Sequence, residues 1–134
     1  MKRILPINAY DLKAEERLPR KEIVLAISYI DFHLHESAMT VNEIAYHANV
    51  SQDTLESMFR KWKDYTVVQY LLEVRLQKVE KMLIQSDGPI NEIAFSCGFN
   101  DLPYFNRAFK KHFDISPSAF RKKDKLLRKK DKHS

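Results

Sequence analysis

The sequence has few glycines, one cysteine and no long apolar run. Only 2 of its 134 residues are glycine, and no segment alternates apolar and polar residues for long, so we expect helices rather than strands. The single cysteine, Cys97, excludes an internal disulfide and a zinc site made from cysteine pairs. No apolar stretch reaches the length of about 20 residues that a membrane span needs, and the first residues lack the apolar core of a signal peptide. These absences predict a cytoplasmic protein that does not enter a membrane.

Residue patterns typical of catalysis or metal binding are also missing. The 5 histidines are scattered along the chain, and His33 and His35 are too close in sequence to share one face of a helix. No pairing of a nucleophile with a base can be recognised, and no glycine-rich loop is present to hold a phosphate group. Cys97 is interpreted as a small buried hydrophobic residue. We therefore expect neither an enzyme nor a protein that needs a metal or another cofactor.

Positive charge is concentrated at the end of the chain. The formal net charge is +5. From Arg107 onward there are 11 basic and 3 acidic residues, a balance of +8, whereas residues 1–106 carry 12 basic and 15 acidic residues, a balance of −3. A polyanionic partner is the natural expectation for such a basic region. For residues 121–132 a run of solvated charge is an equally good interpretation.

A repeated segment organises the chain. The letters NEIA occur at residues 42–45 and again at 91–94. Such a repeat indicates one supersecondary unit present twice, and each copy predicts a short helix, a turn and a second amphipathic helix, which is a helix-turn-helix. With one extra residue in the second copy, the matching positions are Leu55 and Phe105, Phe59–Lys61 and Phe109–Lys111, Asp64 and Asp114, Thr66 and Ser116, and Tyr70 and Phe120.

Apolar periodicity and capping residues place the helices. A first helix is predicted from Lys21 to His35 by its stripe of isoleucines. Thr40 has the spacing of a capping box with Glu43, and Ser51 and Asp101 can cap the helices that follow the first and second turns. A long helix is predicted over residues 66–85, with a buried stripe at Val68, Leu72, Leu76, Val79 and Leu83.

These elements divide the chain into five segments. Two helix-turn-helix subdomains are joined by a linker helix and flanked by an arm and a tail. The predicted bounds are 1–20 for a linker or flexible arm, 21–65 for the first subdomain, 66–86 for the linker helix, 87–122 for the second subdomain and 123–134 for the basic tail.

The second half of the chain carries a specific pattern of spaced residues. It runs Tyr70…Arg75-Leu76…Val79…Leu83, Ile90-x-Glu92-Ile93-Ala94…Gly98-Phe99, Asp101-x-x-Tyr104-Phe105-x-Arg107-x-Phe109-Lys110-Lys111 and Ser116-Pro117…Phe120-Arg121. In this pattern the chain resembles the DNA-binding domain of the AraC/XylS family of bacterial transcription regulators, over residues 22–122. The resemblance implies an all-α fold of seven helices whose two helix-turn-helix subdomains contact promoter DNA. The chain departs from the family's usual residues at Ser57 and Pro103, and also at Asp64 and Asp114, where the family usually has glycine.

The outward positions of the helix at 101–112 are the stronger candidates for DNA contact. Arg107 is the best candidate for direct readout, because arginine pairs bidentately with guanine. Asn106 can pair with adenine or reach a phosphate, and Leu102 can touch a thymine methyl group. Lys110 and Lys111 are expected to contact phosphates, which fixes the register without reading the sequence.

The helix at 51–62 has a less basic outward face. Gln52 is a candidate reader of adenine, Glu56 can accept from the cytosine amino group, and Arg60 is expected on a phosphate. Arg75 is a DNA backbone contact by the resemblance, or an exposed arginine paired with Glu73. The full candidate set is Gln52, Asp53, Glu56, Ser57, Arg60, Lys61, Arg75, Leu102, Pro103, Asn106, Arg107, Lys110 and Lys111.

The predicted function is sequence-specific binding of double-stranded DNA, with the helices at 51–62 and 101–112 in adjacent major grooves. A linker helix of about 30 Å suits grooves about 34 Å apart. The resemblance implies a nucleoid-associated bacterial activator that contacts RNA polymerase, and dimers are expected only if a further domain exists. One alternative is a protein–protein module that uses Asp53, Glu56 and Ser57 to contact RNA polymerase or another regulator and binds DNA weakly. Nonspecific packaging of nucleic acid is another.

Overall fold

The computed structural model describes residues 20–133, with side chains as far as Lys130. Within this range the chain forms seven helices and no strand, which confirms the all-α prediction. No helix in the range is both long and apolar enough to cross a membrane. The predicted arm, apart from Arg20, lies outside the described residues. The helices are α1 (Lys21–His33), α2 (Val41–His47), α3 (Gln52–Lys63), α4 (Val67–Gln85), α5 (Ile90–Ser96), α6 (Leu102–Phe113) and α7 (Pro117–His133).

The chain divides into two compact units, and the division falls within α4. The first unit extends to Arg75 and the second begins at Leu76. Each unit contains one short helix of 7 residues, α2 or α5, and one helix of 12 residues, α3 or α6. Each of the two predicted helix-turn-helix motifs therefore lies within one unit.

The core of the first unit joins α1 to the start of α4. Ile30, Leu55 and Phe59 are fully buried, and the Phe59 ring meets the Tyr70 ring edge-on with centroids 5.4 Å apart. Trp62 of α3 is half-buried and packs on Phe59 at a centroid distance of 5.8 Å. The inward face of α3 is thus anchored while its opposite face stays in solvent.

The core of the second unit is aromatic. Phe105 and Phe109 on α6 are fully buried, and Phe109 meets Phe120 of α7 with ring centroids 5.8 Å apart. Cys97 is completely buried, as predicted, and its thiol lies 3.6 Å from the sulfur of Met82. Within this unit α6 contacts both the short helix α5 and the closing helix α7.

The long helix α4 does not bury the single stripe that its periodicity predicts. Val68 is 58% exposed, so the prediction was wrong at this position, and Leu72 is half-buried. In the part of α4 that belongs to the first unit, the buried residues are instead Val67, Tyr70 and Leu71. The other predicted positions lie in the second unit and are buried. A single buried stripe along the whole helix is not observed because each half of α4 packs within its own unit.

The closing helix α7 is longer than predicted. The expected tail begins at residue 123, but the helix continues to His133. The added turns are rich in lysine, arginine and leucine, which are good helix formers. The Arg128 guanidinium also lies 3.0 Å from the Asp124 carboxylate, four positions earlier on the same helix. The end of the chain is therefore basic, as predicted, but helical.

Candidate nucleic-acid interface

The two helix-turn-helix turns have the same backbone geometry. Asn49 has φ 63° and Gly98 has φ 96°, in the left-handed region that glycine adopts freely and asparagine tolerates. The amide of the next residue, Val50 or Phe99, donates to an alanine carbonyl five positions earlier, at 3.1 and 3.0 Å. The turn is therefore built twice from different residues, and this sets the direction in which α3 and α6 leave it.

Side-chain caps fix the start of both 12-residue helices. The Ser51 hydroxyl accepts from the Thr54 amide at 3.1 Å, and the Asp101 carboxylate accepts from the Tyr104 amide at 3.0 Å. Both caps are as predicted. Between turn and cap the second copy carries Asn100, which is the extra residue of the repeat.

Aspartate ends both helices. Asp64 and Asp114 have φ of 58° and 70°, and their amides donate to carbonyls four residues back. Most residues adopt this left-handed conformation only at a cost, whereas aspartate tolerates it. The departure from the family's usual glycine therefore leaves the local geometry intact.

The outward face of α6 is polar and basic. Pro103, Asn106, Arg107, Lys110 and Lys111 are all exposed. Helical spacing places Arg107, Lys110 and Lys111 on the side away from the buried phenylalanines, together with Pro103, and Asn106 at the edge of that side. The Asn106 side-chain amide donates to the carbonyl four residues earlier at 3.0 Å, which orients it on the helix. Leu102, at the start of the helix, is half-buried.

The matching face of α3 has mixed charge. Gln52, Asp53, Ser57, Arg60 and Lys61 are exposed. Two of these residues are basic and one is acidic, whereas the exposed set on α6 contains three basic residues and no acid. The outward face of α3 is therefore less basic than that of α6, as the sequence predicts.

Glu56 has a contact within the fold. Its carboxylate accepts a hydrogen bond from the amide of Val67, the first residue of α4, at 2.9 Å. The first four amides of a helix have no partner within the helix, so Glu56 caps α4 from α3. Thr66 and Gln69 complete the cap. The Thr66 hydroxyl accepts from the backbone amide of Gln69 at 3.0 Å, and the Gln69 side-chain oxygen accepts from the backbone amide of Thr66 at 2.9 Å. The carboxylate predicted to read cytosine is thus already engaged.

Arg75 is also bound within its own unit. Its guanidinium donates to the carbonyl of Leu34 at 2.9 Å and to the carbonyl of Glu36 at 2.7 Å. These carbonyls belong to the segment between α1 and α2. These hydrogen bonds give Arg75 a structural role that does not require DNA. The predicted contact of Arg75 with the DNA backbone stays a prediction.

Arg121 makes an equivalent contact in the second unit. It donates to the carbonyl of Gly88 at 2.6 Å and to that of Ser86 at 2.9 Å, in the segment before α5. Each unit therefore has what we call an arginine clasp, in which an arginine of the helix after α3 or α6 holds the segment that precedes α2 or α5. Sequence reasoning missed both clasps. The only sequence signal for them is an arginine on the helix that follows each repeat.

The fold and these faces define a tandem helix-turn-helix protein. Residues 44–123 match a family model described as a helix-turn-helix domain. A crystal structure of an AraC-type transcriptional regulator from Chromobacterium violaceum is 29% identical with a TM-score of 0.72, and the match covers 77% of this chain and 91% of that one. The chain belongs to the AraC family of helix-turn-helix transcription regulators.

Named relatives are consistent with this family. The HTH-type transcriptional regulator ArgR of Pseudomonas aeruginosa is 38% identical over 82 residues, which cover 61% of this chain and 25% of that protein. The Msm operon regulatory protein of Streptococcus mutans is 35% identical over 108 residues, with coverage of 81% and 39%. The DNA-binding domain of AdpA, crystallised with a target DNA, is 26% identical with a TM-score of 0.76 and coverage of 81% and 96%. The chain therefore spans less than half of the length of ArgR and of the Msm operon regulatory protein.

Proposed function

We propose that this chain is the DNA-binding part of a transcription regulator and that it binds double-stranded DNA sequence-specifically through α3 and α6. The observation that carries the proposal is the exposed face of α6, where Arg107, Lys110 and Lys111 lie on a capped helix whose other side is buried. The similarity to the AdpA domain, which was crystallised with DNA, supports the same conclusion. Contact with RNA polymerase and a location at the nucleoid would follow from this role.

The chemistry of α6 suits readout in the major groove. The groove admits one α-helix, and the guanidinium of Arg107 pairs bidentately with the two acceptors of guanine. Asn106 can serve adenine once its side chain leaves the carbonyl that it now contacts. Lys110 and Lys111 offer ammonium groups for the flanking phosphates, which position the helix without selecting a sequence.

Both 12-residue helices are proposed to meet the same DNA molecule in adjacent major grooves. The helix between them, α4, has 19 residues, which corresponds to about 28 Å at about 1.5 Å per residue. Major grooves on one side of the duplex recur about every 34 Å. On this proposal one chain occupies an asymmetric site, and paired half-sites require a further domain that dimerises.

The contribution of α6 is expected to exceed that of α3. Loss of a bidentate arginine–guanine pair costs about 1–3 kcal/mol, so Arg107→Ala should weaken binding by roughly 5- to 150-fold. Ser57 is the residue of α3 at the equivalent position, and Ser57→Ala is the matched control, with an expected change of less than about twofold. The affinity of each variant is measured by titration with a DNA site selected from a random pool. Circular dichroism checks that each variant keeps its helical content. Comparable losses in the two variants would contradict the assignment.

A protein–protein role for α3 is the second candidate, and the exposed Asp53 beside Ser57 favours it. Salt separates the two functions. DNA binding releases counterions, so the affinity should fall steeply between 50 and 200 mM salt. Strong binding of a protein partner with a shallow salt dependence, together with weak DNA binding at every salt concentration, would favour the second candidate. Equal affinity for unrelated competitor DNA would indicate nonspecific packaging instead.

A further inference from the structure

The last turns of α7 extend past the region that the family model matches. That match ends at residue 123, whereas α7 continues to His133. The extension is tied to the rest of the second unit, because the Lys125 ammonium lies 3.1 Å from the carboxylate of Asp87 in the segment after α4. This cation lowers the pKa of the Asp87 carboxyl group. One residue of the extra turns therefore pairs with the segment between α4 and α5 of this unit.

One side of this helix carries only positive charge. Lys122, Lys123, Lys129 and Lys130 are exposed, and in the part of the chain that the structure describes none of the four forms a salt bridge. Lys122 and Lys129 are seven positions apart, as are Lys123 and Lys130, so the ammonium groups form two rows, each about 10 Å long at about 1.5 Å per residue. We call these four residues the lysine face.

The surroundings of the lysine face distinguish it from an ordinary solvated helix surface. Asp124 is half-buried, projects from another side of the helix and is paired with Arg128 at 3.0 Å. Helical spacing places Leu126, 58% exposed, between the two rows, where the lysine stems can cover it. A solvated surface helix usually alternates the signs of its charges, whereas this face presents one sign.

We propose that the lysine face binds the phosphate backbone of the DNA duplex that α6 reads, outside the base pairs that α6 contacts. This inference rests on the proposed function. Lysine ammonium groups act as point charges that attract phosphates without selecting bases. Because α7 packs on α6 through Phe120 and Phe109, the lysine face keeps a fixed position relative to the helix that is proposed to read the bases.

The test uses two lysines beyond the family match. In the variant Lys129→Gln/Lys130→Gln each ammonium becomes a neutral amide, and glutamine is a good helix former. The matched control is Lys78→Gln/Lys81→Gln, which removes two exposed lysines from α4 and changes the net charge equally. Each phosphate contact contributes about 0.9 to the slope of log affinity against log salt. The α7 variant should therefore lower the magnitude of this slope by about 1.8. The ratio of wild-type to variant DNA affinity should consequently fall about tenfold between 50 and 200 mM salt.

DNA length and sequence supply the other measurements. A duplex with about 10 base pairs added beyond the α6 end of the selected site should bind the wild type more tightly than the bare site does, and this gain should vanish in the α7 variant. The preference for the selected site over a scrambled site should be the same in both proteins. An unchanged salt slope in the α7 variant, or a slope change equal to that of the α4 control, would overturn the inference while leaving the proposed function standing.

Two further outcomes are decisive. If the wild type shows no salt-dependent DNA binding at all, the proposed function fails and the inference falls with it. If the α7 variant keeps its DNA slope but loses binding to vesicles that contain acidic lipid, the lysine face serves a membrane surface and the proposal is overturned.

Discussion

The arginine clasp of the second unit predicts a large loss of stability from one substitution. The Arg121 guanidinium donates to the carbonyls of Gly88 and Ser86 at 2.6 and 2.9 Å. A hydrogen bond that involves a charged group contributes about 1.5–3 kcal/mol. The contributions of the two bonds do not simply add, and in Arg121→Ala water can reach part of this half-buried site. We therefore expect Arg121→Ala to lower the free energy of unfolding by about 2–4 kcal/mol.

Two comparison variants identify the cause of the loss. Arg121→Lys keeps the charge, but its single ammonium replaces a planar fork that reaches two carbonyls, so it should restore only part of the lost stability. Lys122→Ala is the control, because Lys122 is the exposed neighbour of Arg121 on α7 and its loss should cost less than about 0.5 kcal/mol.

Urea unfolding measures the stability of all three variants, and amide exchange locates the damage. Exchange should accelerate at the Gly88 amide and in the first turn of α5 before it does so elsewhere in the second unit, because the clasp holds that segment. The reasoning is refuted if Arg121→Ala and Lys122→Ala lose the same stability, or if Arg121→Lys is as stable as the wild type.

Two other predictions concern the cap of α4 and the second turn. Glu56→Ala should cost about 1 kcal/mol because the Val67 amide loses its acceptor, whereas Glu56→Gln retains an oxygen and should keep most of the stability. Urea unfolding of the pair checks this, and equal losses would argue against a capping role. Gly98→Ala should cost about 1–2 kcal/mol, since alanine is strained at a φ of 96°, while Asn49→Gly should cost little. A thermal scan in which Gly98→Ala melts with the wild type would contradict the turn geometry.

The fold was predictable because independent local signals agree. The repeat of residues 42–45 at 91–94 gives two copies of one motif. Serine and aspartate caps then mark where both long helices of the motif begin, and the structure has those caps. Short-range signals of this kind depend only on neighbouring residues, so they can be recognised from the sequence.

Features that depend on distant contacts were not predictable in this way. The arginine clasps join residues 33–41 positions apart along the chain, and nothing local marks Arg75 or Arg121 as a partner of backbone carbonyls. The exposed Val68 has the same origin, because the periodicity of α4 does not reveal that the helix is shared between two units. Sequence reasoning therefore assigned Glu56 and Arg75 to DNA without detecting their contacts within the protein.

The two copies of the motif differ most where DNA contact is proposed. Each backbone requirement is met in both copies, by Asn49 and Gly98 at the left-handed turn position and by aspartate at the end of both helices. The outward faces are under no such requirement, and there Ser57 stands where the second copy has Arg107. Because the scaffold tolerates this change, the two helices can take up different tasks on one duplex. Stronger DNA contact by α6 and weaker contact by α3 is the arrangement that their charges favour.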